Sequence, residues 1–189
     1  MSNSKHKSLH ELESVLWEIS KSPSDSGVVH MLVRRPAEND RELLSVALLT
    51  ANAGLEGDNW KHKPSSSSAD GGPHPLKQIT NMNSRAIQAI AGNQEFWPLA
   101  GDQIYADINL SYLNMPPGTL LQAGTAVLEV TEPPHRGCKK FAERFGQDAM
   151  RFVNSEQGRA LNLRGINCRV VQDGVVKTGD LLTIHVVYS

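Results

Sequence analysis

The chain has 189 residues, 39% of them hydrophobic and 21% charged, which suits one ordinary domain with a real core and argues against wholesale disorder. Its 19 Lys+Arg against 20 Asp+Glu give a formal net charge of -1, without the basic excess of a dedicated nucleic-acid binder. Two cysteines are too few for a disulfide scaffold, and no apolar run approaches the roughly 18 residues of a membrane span, so the expectation is a cytoplasmic protein with free thiols and neither a nucleic-acid nor a membrane partner.

The first twenty residues lack the apolar run of a secretory signal. Residues 8–20 read as one helix: Leu9, Leu12, Leu16 and Ile19 recur at helical spacing, and Ser8 with Glu11 forms a capping-box pattern. Such a helix would dock on the outside of the fold. Residues 28–33 and 43–50 are strand candidates around a turn-rich connection at 36–40. Residues 61–75 are rich in Ser, Gly and Pro, with serine at every position from 65 to 68, and predict a mobile loop that could form a lid or rim. A short strand is expected at 76–80 and a helix at 84–91, ending at Gly92. Strands follow at 103–110 and 125–131, separated by Pro116-Pro117-Gly118, then helical stretches at 139–145 and 148–153. Ile166, Cys168 and Val170 alternate with polar residues as in a half-buried strand. Asp173-Gly174 supplies a hairpin signal before Val175 and Val176, and 181–187 closes the chain as a strand. Many short strands with only short helices between them predict a mainly β (α+β) fold, barrel-like with peripheral helices, rather than a doubly wound sheet. Residues 1–26 read as an N-terminal helix and linker, and 27–189 as the domain.

The most informative stretch is Thr131-Glu132-Pro133-Pro134-His135-Arg136-Gly137-Cys138-Lys139-Lys140-Phe141. Its prolines end a strand, and Gly137 allows a sharp turn into a helix that begins at Cys138. A helix start and the neighbours Arg136, Lys139 and Lys140, with His135 when protonated, all favour thiolate over thiol. A thiolate is both a nucleophile and a soft metal ligand, so Cys138 is the leading catalytic and metal-ligating candidate. The competing reading, a small buried hydrophobe, fits Cys168 better, because that residue lies among Ile166, Val170 and Val171. His62, His74, His135 and Cys138 could converge on zinc, but they lack two clustered ligand pairs. There is no Gly-rich phosphate loop and no nucleophile elbow. Arg144, Arg151, Arg159 and Arg169 read as solvated surface charge. Arg164 beside Gly165 at a strand start could instead present its guanidinium to a phosphate or carboxylate, or merely tie down the barrel.

In order and spacing the chain resembles the MOSC domain family, named for the C-terminal domain of molybdenum cofactor sulfurases. The resemblance rests on Gly54-Leu55-Glu56-Gly57-Asp58, on Ala100-Gly101-Asp102 through Asp107-Ile108-Asn109-Leu110, on Pro117-Gly118-Thr119 through Thr131, on His135-Arg136-Gly137-Cys138-Lys139-Lys140-Phe141, and on Ile166 followed by Gly174 and Gly179-Asp180. It covers residues 28–187. It departs from the family pattern at Gly137, where many members have Pro, at Asp107-Ile108-Asn109-Leu110, where the Glu of the family's Glu-Asn-Leu is absent, and at Asn59-Trp60, where many have a basic residue and His. The resemblance implies a β-barrel-like fold and the molybdenum cofactor, molybdopterin, with Cys138 as molybdenum ligand. It implies cofactor-binding roles for Arg164, Arg136, Lys139, Asp58 and Asn109. It also implies a small-molecule substrate, which in some members is an N-hydroxylated compound that is reduced. No pyridoxal phosphate is expected on this chain, although some relatives are fused to a pyridoxal-phosphate domain. A cysteine desulfurase or an electron-donor protein would then act in trans. Two alternatives stay open: a sulfur carrier forming a persulfide on Cys138, and a non-catalytic binding module.

Overall fold

The computed structural model describes residues 6–65, 68 and 71–185. The N-terminal pattern folds as two short helices, α1 (Leu9–Glu13) and α2 (Leu16–Ser20), rather than one. The Ser8–Glu11 capping box forms. The break comes at Ser14, whose hydroxyl donates to the Glu11 carbonyl at 2.8 Å and so competes with the helical ladder. Leu12 and Ile19 still share one buried face.

β1 (Ser26–Arg34) follows, then β2 (Glu42–Leu44), β3 (Val46–Thr50) and β4 (Gly54–Leu55). The single strand expected at 43–50 is therefore two, in different sheets. β2 pairs with β1, whereas β3 pairs with β4 and with β10 (Gly174–Lys177). A 3-10 turn at Pro75–Lys77 occupies the start of the strand expected at 76–80, and β5 runs Ile79–Asn83. α3 (Ser84–Ala91) stops at Gly92, as its sequence predicts, and Asn83 caps its start. β6 is only Ile104–Ala106; beyond it the chain stays beside the start of β1 and the residues before it, with Asp107 N bonded to Val28 O and Asn109 N to Pro23 O.

β7 (Leu120–Ala123), a strand absent from the sequence expectation, makes a tight hairpin with β8 (Ala126–Val130). α4 (Lys139–Phe145), α5 (Gln147–Asn154) and α6 (Glu156–Ala160) lead to β9 (Ile166–Gln172), β10 and β11 (Leu181–Ile184). Asp173-Gly174 does not make a β9–β10 hairpin. Asp173 accepts from Ala51 N at 2.8 Å, and β10 lies against β3, so this corner passes the chain between sheets. Of the last expected strand, residues 186 and 187 lie outside the described residues, as do Ser66, Ser67, Ala69 and Asp70 of the expected loop.

Seven strands close a mixed barrel in the order β1-β11-β7-β8-β9-β5-β6 and back to β1; only β5–β6 is parallel. The expected mainly β, barrel-like architecture is the one observed. Val29, Leu32, Ile79, Ile104, Leu121, Leu128 and Cys168 fill its interior. A second core lies between the barrel wall and the helices, where Met31, Val33, Met82 and Tyr105 meet Ile87, Phe141, Phe145 and Phe152. β1 serves both cores: its register shifts between Val29 and Met31, after which both faces are covered. Among the described residues no helix is long and apolar enough to cross a membrane.

Candidate functional site

The loop after β8 is fixed by two asparagines. Asn167 donates to the Pro133 carbonyl at 2.8 Å. Asn154 accepts from Gly137 N at 3.0 Å and donates to Gly137 O at 2.9 Å, clamping that peptide from both sides. Together they hold Cys138 at the N-cap of α4, where its side chain makes no capping bond and is exposed. Cys168 is its opposite. It is fully buried, accepts from Asn81 Nδ2 at 3.2 Å, and its thiol is pushed up to about 12 by burial.

Cys138 sits where two lobes of a cleft meet. The first lobe, about 490 Å³, includes Arg35, Arg41, Lys140, Arg144 and Arg164 in its wall. The second, about 450 Å³, includes Trp60, Lys77, Thr80, Arg136 and Asn167. Arg35, Lys63, Pro64, His135 and Cys138 line both. A chain that is almost neutral overall thus lines one cleft with eight of its 19 Lys and Arg residues.

These cations are held in different ways. Arg35 grips Asp58 in a bidentate pair, Nε to Oδ2 at 2.9 Å and Nη2 to Oδ1 at 2.8 Å, and donates to Gly101 O. Asp58 also accepts from the backbone N–H groups of Arg35 and Trp60. Its carboxylate is fully covered, so it braces Arg35 and does not face the cleft. Arg164, 7% exposed, pairs with the fully buried Asp102 at 2.6 Å, donates to Ala100 O, and lies 4.9 Å from the Phe141 ring centre. Gly165 has positive φ, and a Cβ there would lie 2.3 Å from the Asn81 carbonyl oxygen, so β5 requires this glycine.

Arg41 and Arg144 are different. Arg41 Nε donates to Pro98 O, while Arg144 donates to Leu99 O and Asn39 Oδ1. Neither has a carboxylate partner among the described residues. They flank Gly101, where a Cβ would lie 3.3 Å from Arg41 Nη2 and 3.9 Å from Arg144 Nη1. Burial, with Arg144 and Arg35 nearby, lowers the Arg41 pKa.

His135 was expected to add charge when protonated, but its environment opposes this. Burial first, then Arg164, Arg35, Lys77 and Lys63, hold its pKa well below the usual histidine range. Its Nδ1 lies 3.4 Å from Asp102 Oδ1; these two atoms and Arg164 Nε are buried without a hydrogen-bond partner.

Of the catalytic and cofactor-binding candidates named from sequence, Cys138, Arg136 and Arg164 reach the cleft, which His62, His74, His135 and Lys140 also line. Lys139 is 92% exposed and lies toward Glu143. Asn109 accepts from Ser111 N in a turn and lines neither lobe. Among the described residues no three His, Cys, Asp or Glu side chains gather as a metal site, so the zinc alternative does not assemble. Sequence reasoning missed Arg35, Arg41, Lys63 and Lys77 as cleft residues and read Arg144 as surface charge; nothing in their local sequence marks a ligand.

Residues 100–183 match the MOSC domain family. No curated protein matches the chain. Among solved structures, the YuaD protein of Bacillus subtilis is similar with a TM-score of 0.58 and 17% identity, over 83% of this chain and 94% of that one. YiiM of Escherichia coli gives 0.55 and 18%, over 86% and 71%. YiiM of Geobacillus stearothermophilus gives 0.53 and 15%, over 84% and 75%. At these identities the likeness establishes a shared fold.

Proposed function

We propose, because residues 100–183 match the MOSC domain family, which is known for binding the molybdenum cofactor, that the cleft around Cys138 holds that cofactor and that the chain reduces a small N-hydroxylated compound. The observation that carries the reading is the juxtaposition of an exposed, uncapped thiol with two guanidinia that have no carboxylate partner among the described residues. The donor set fits the group. Arg41 and Arg144, flanking the open side of Gly101, would take the pterin phosphate, since planar guanidinia match phosphate oxygens and a Cβ at Gly101 would intrude between them. Cys138 would supply the sulfur ligand.

When bound, the cofactor supplies a metal centre able to pass an electron pair. The chain's own residues do the rest. Asn154 and Asn167 fix the thiol's position. Asp58 fixes Arg35, and Asp102 fixes Arg164, so two cations stand rigidly at the cleft wall. His135, kept neutral, adds a hydrogen-bonding group without adding charge. Reduction of an N–OH group breaks the N–O bond and consumes two electrons and two protons, giving an amine and water. The electrons would come from an electron-donor protein in trans, in the cytosol, where both thiols stay free. A sulfur carrier would use the same exposed thiol but would leave Arg41 and Arg144 without a role.

The test is metal analysis of the full chain purified from a host that makes the cofactor. Wild type should carry stoichiometric molybdenum, Cys138→Ser should lose it, and Arg41→Gln with Arg144→Gln should retain much less. A wild-type protein free of molybdenum but carrying a persulfide on Cys138 would instead establish the carrier.

A further inference from the structure

The second lobe of the cleft contributes nothing to the phosphate site, yet it is the more one-sided of the two. Arg35, Lys63, Lys77 and Arg136 line it, and none of its described lining residues is an Asp or Glu. Lys63, Lys77 and Arg136 have no ion-pair partner among the described residues, whereas the first lobe carries Glu38, paired with Lys140. Lys77 is half-buried, which removes much of its hydration without supplying a counter-charge. The charge is felt at the junction: Lys77 and Lys63 both act to keep His135 unprotonated. A concave wall of one sign focuses potential and raises the local concentration of opposite charge. Trp60 forms an apolar side of the same lobe, its indole N–H donating to His74 O at 3.2 Å.

We propose that this second lobe is the substrate subsite and that it selects a small molecule bearing an anionic group, held by Lys77 and Arg136 with its reactive end at Cys138. The inference rests on the reading that Cys138 marks the reacting centre. It adds that the substrate is acidic, and that the chain divides its cations between two anions, one on each side of the thiol.

The experiment uses the full chain from a host that makes no molybdenum cofactor, with Cys138 labelling by iodoacetamide followed by peptide mapping. Benzoate and benzamide are the probes, alike in shape and different in charge. Benzoate should slow labelling saturably, and benzamide should be weaker by about tenfold or more, the usual worth of a charged hydrogen bond. Lys77→Gln with Arg136→Gln should raise the benzoate half-saturation by about tenfold. Lys77→Arg should keep it, and Arg41→Gln with Arg144→Gln should leave it unchanged. Phenyl phosphate protecting more tightly than benzoate would identify a dianion and the reverse order a carboxylate; either order supports the proposal.

Equal protection by benzamide, or benzoate protection that survives loss of Lys77 and Arg136 but not of Arg41 and Arg144, overturns it. Made in a cofactor-producing host, the Lys77/Arg136 variant should retain molybdenum; if it loses the metal, the lobe belongs to the cofactor and the proposal falls. If instead wild type holds no molybdenum while the benzoate pattern is as expected, the cofactor reading fails and the anion subsite stands.

Discussion

Arg164→Ala tests how the cleft floor is built. The guanidinium is 7% exposed and its partner carboxylate on Asp102 is fully buried. Removing the arginine leaves that carboxylate with no counter-charge beside an Oδ1 that already lacks a hydrogen bond. Breaking a buried pair from one side costs about 3–5 kcal/mol. In a domain of this size each kcal/mol moves the melting temperature by about 2–4 °C, so the expected fall is about 6–20 °C. Asp102→Asn in the Arg164→Ala background should recover part of the loss, because the buried charge is then gone. The exposed Arg169–Glu129 pair, at 2.9 Å, is the control, and Arg169→Ala should cost less than about 1 kcal/mol. Urea and thermal unfolding at neutral pH measure all four proteins. An Arg164→Ala effect as small as that of Arg169→Ala would refute the buried-pair account.

Other outcomes follow from the same geometry. Iodoacetamide should label Cys138 and spare Cys168 in the folded chain, since one thiol is exposed and the other is buried with its pKa near 12; preferential labelling of Cys168 would contradict this placement. His135 has a folded pKa below the unfolded value of about 6.5, so as pH falls below that value the unfolded chain takes up a proton that the folded chain refuses. Stability is therefore lost from about pH 6.5 downward, and His135→Gln should show a smaller drop in urea midpoint between pH 7 and pH 5 than wild type; equal drops would count against it. Limited trypsin digestion should cut first after Lys61, which is exposed, because Pro64 protects the bond after Lys63; a first cut elsewhere would disfavour the loop as the weakest segment.

Local signals were readable where local chemistry decides the structure. The stop of α3 at Gly92 was readable because a positive-φ glycine at a helix end is a property of a few adjacent residues. The contrast between Cys138 and Cys168 follows likewise from basic against apolar neighbours. The sheet exchange at 43–50 and the corner at Asp173-Gly174 were not readable, because a strand pattern does not say which partner it will meet. The site shows the same division. Arg164 was a candidate, but its pairing with Asp102, 62 residues away, is a matter of tertiary packing. Arg144 read as surface charge, and only the fold brings it to Asn39, 105 residues away, and to Arg41.

The pairing of β1 with β11 governs when the protein can be made whole. Ser26 meets Thr183 across 157 residues, their hydroxyls 3.1 Å apart, and this seam is what closes the cylinder. During synthesis β1 emerges early and must wait, its edge unpaired on that side, until β11 has left the ribosome. Contacts this distant in sequence make closure slow relative to local helix formation. The Cys138 loop is tied through Asn167 to β9, a stave of the same cylinder. Any factor that fills the cleft would therefore find its finished form only after β11 is free to complete the ring.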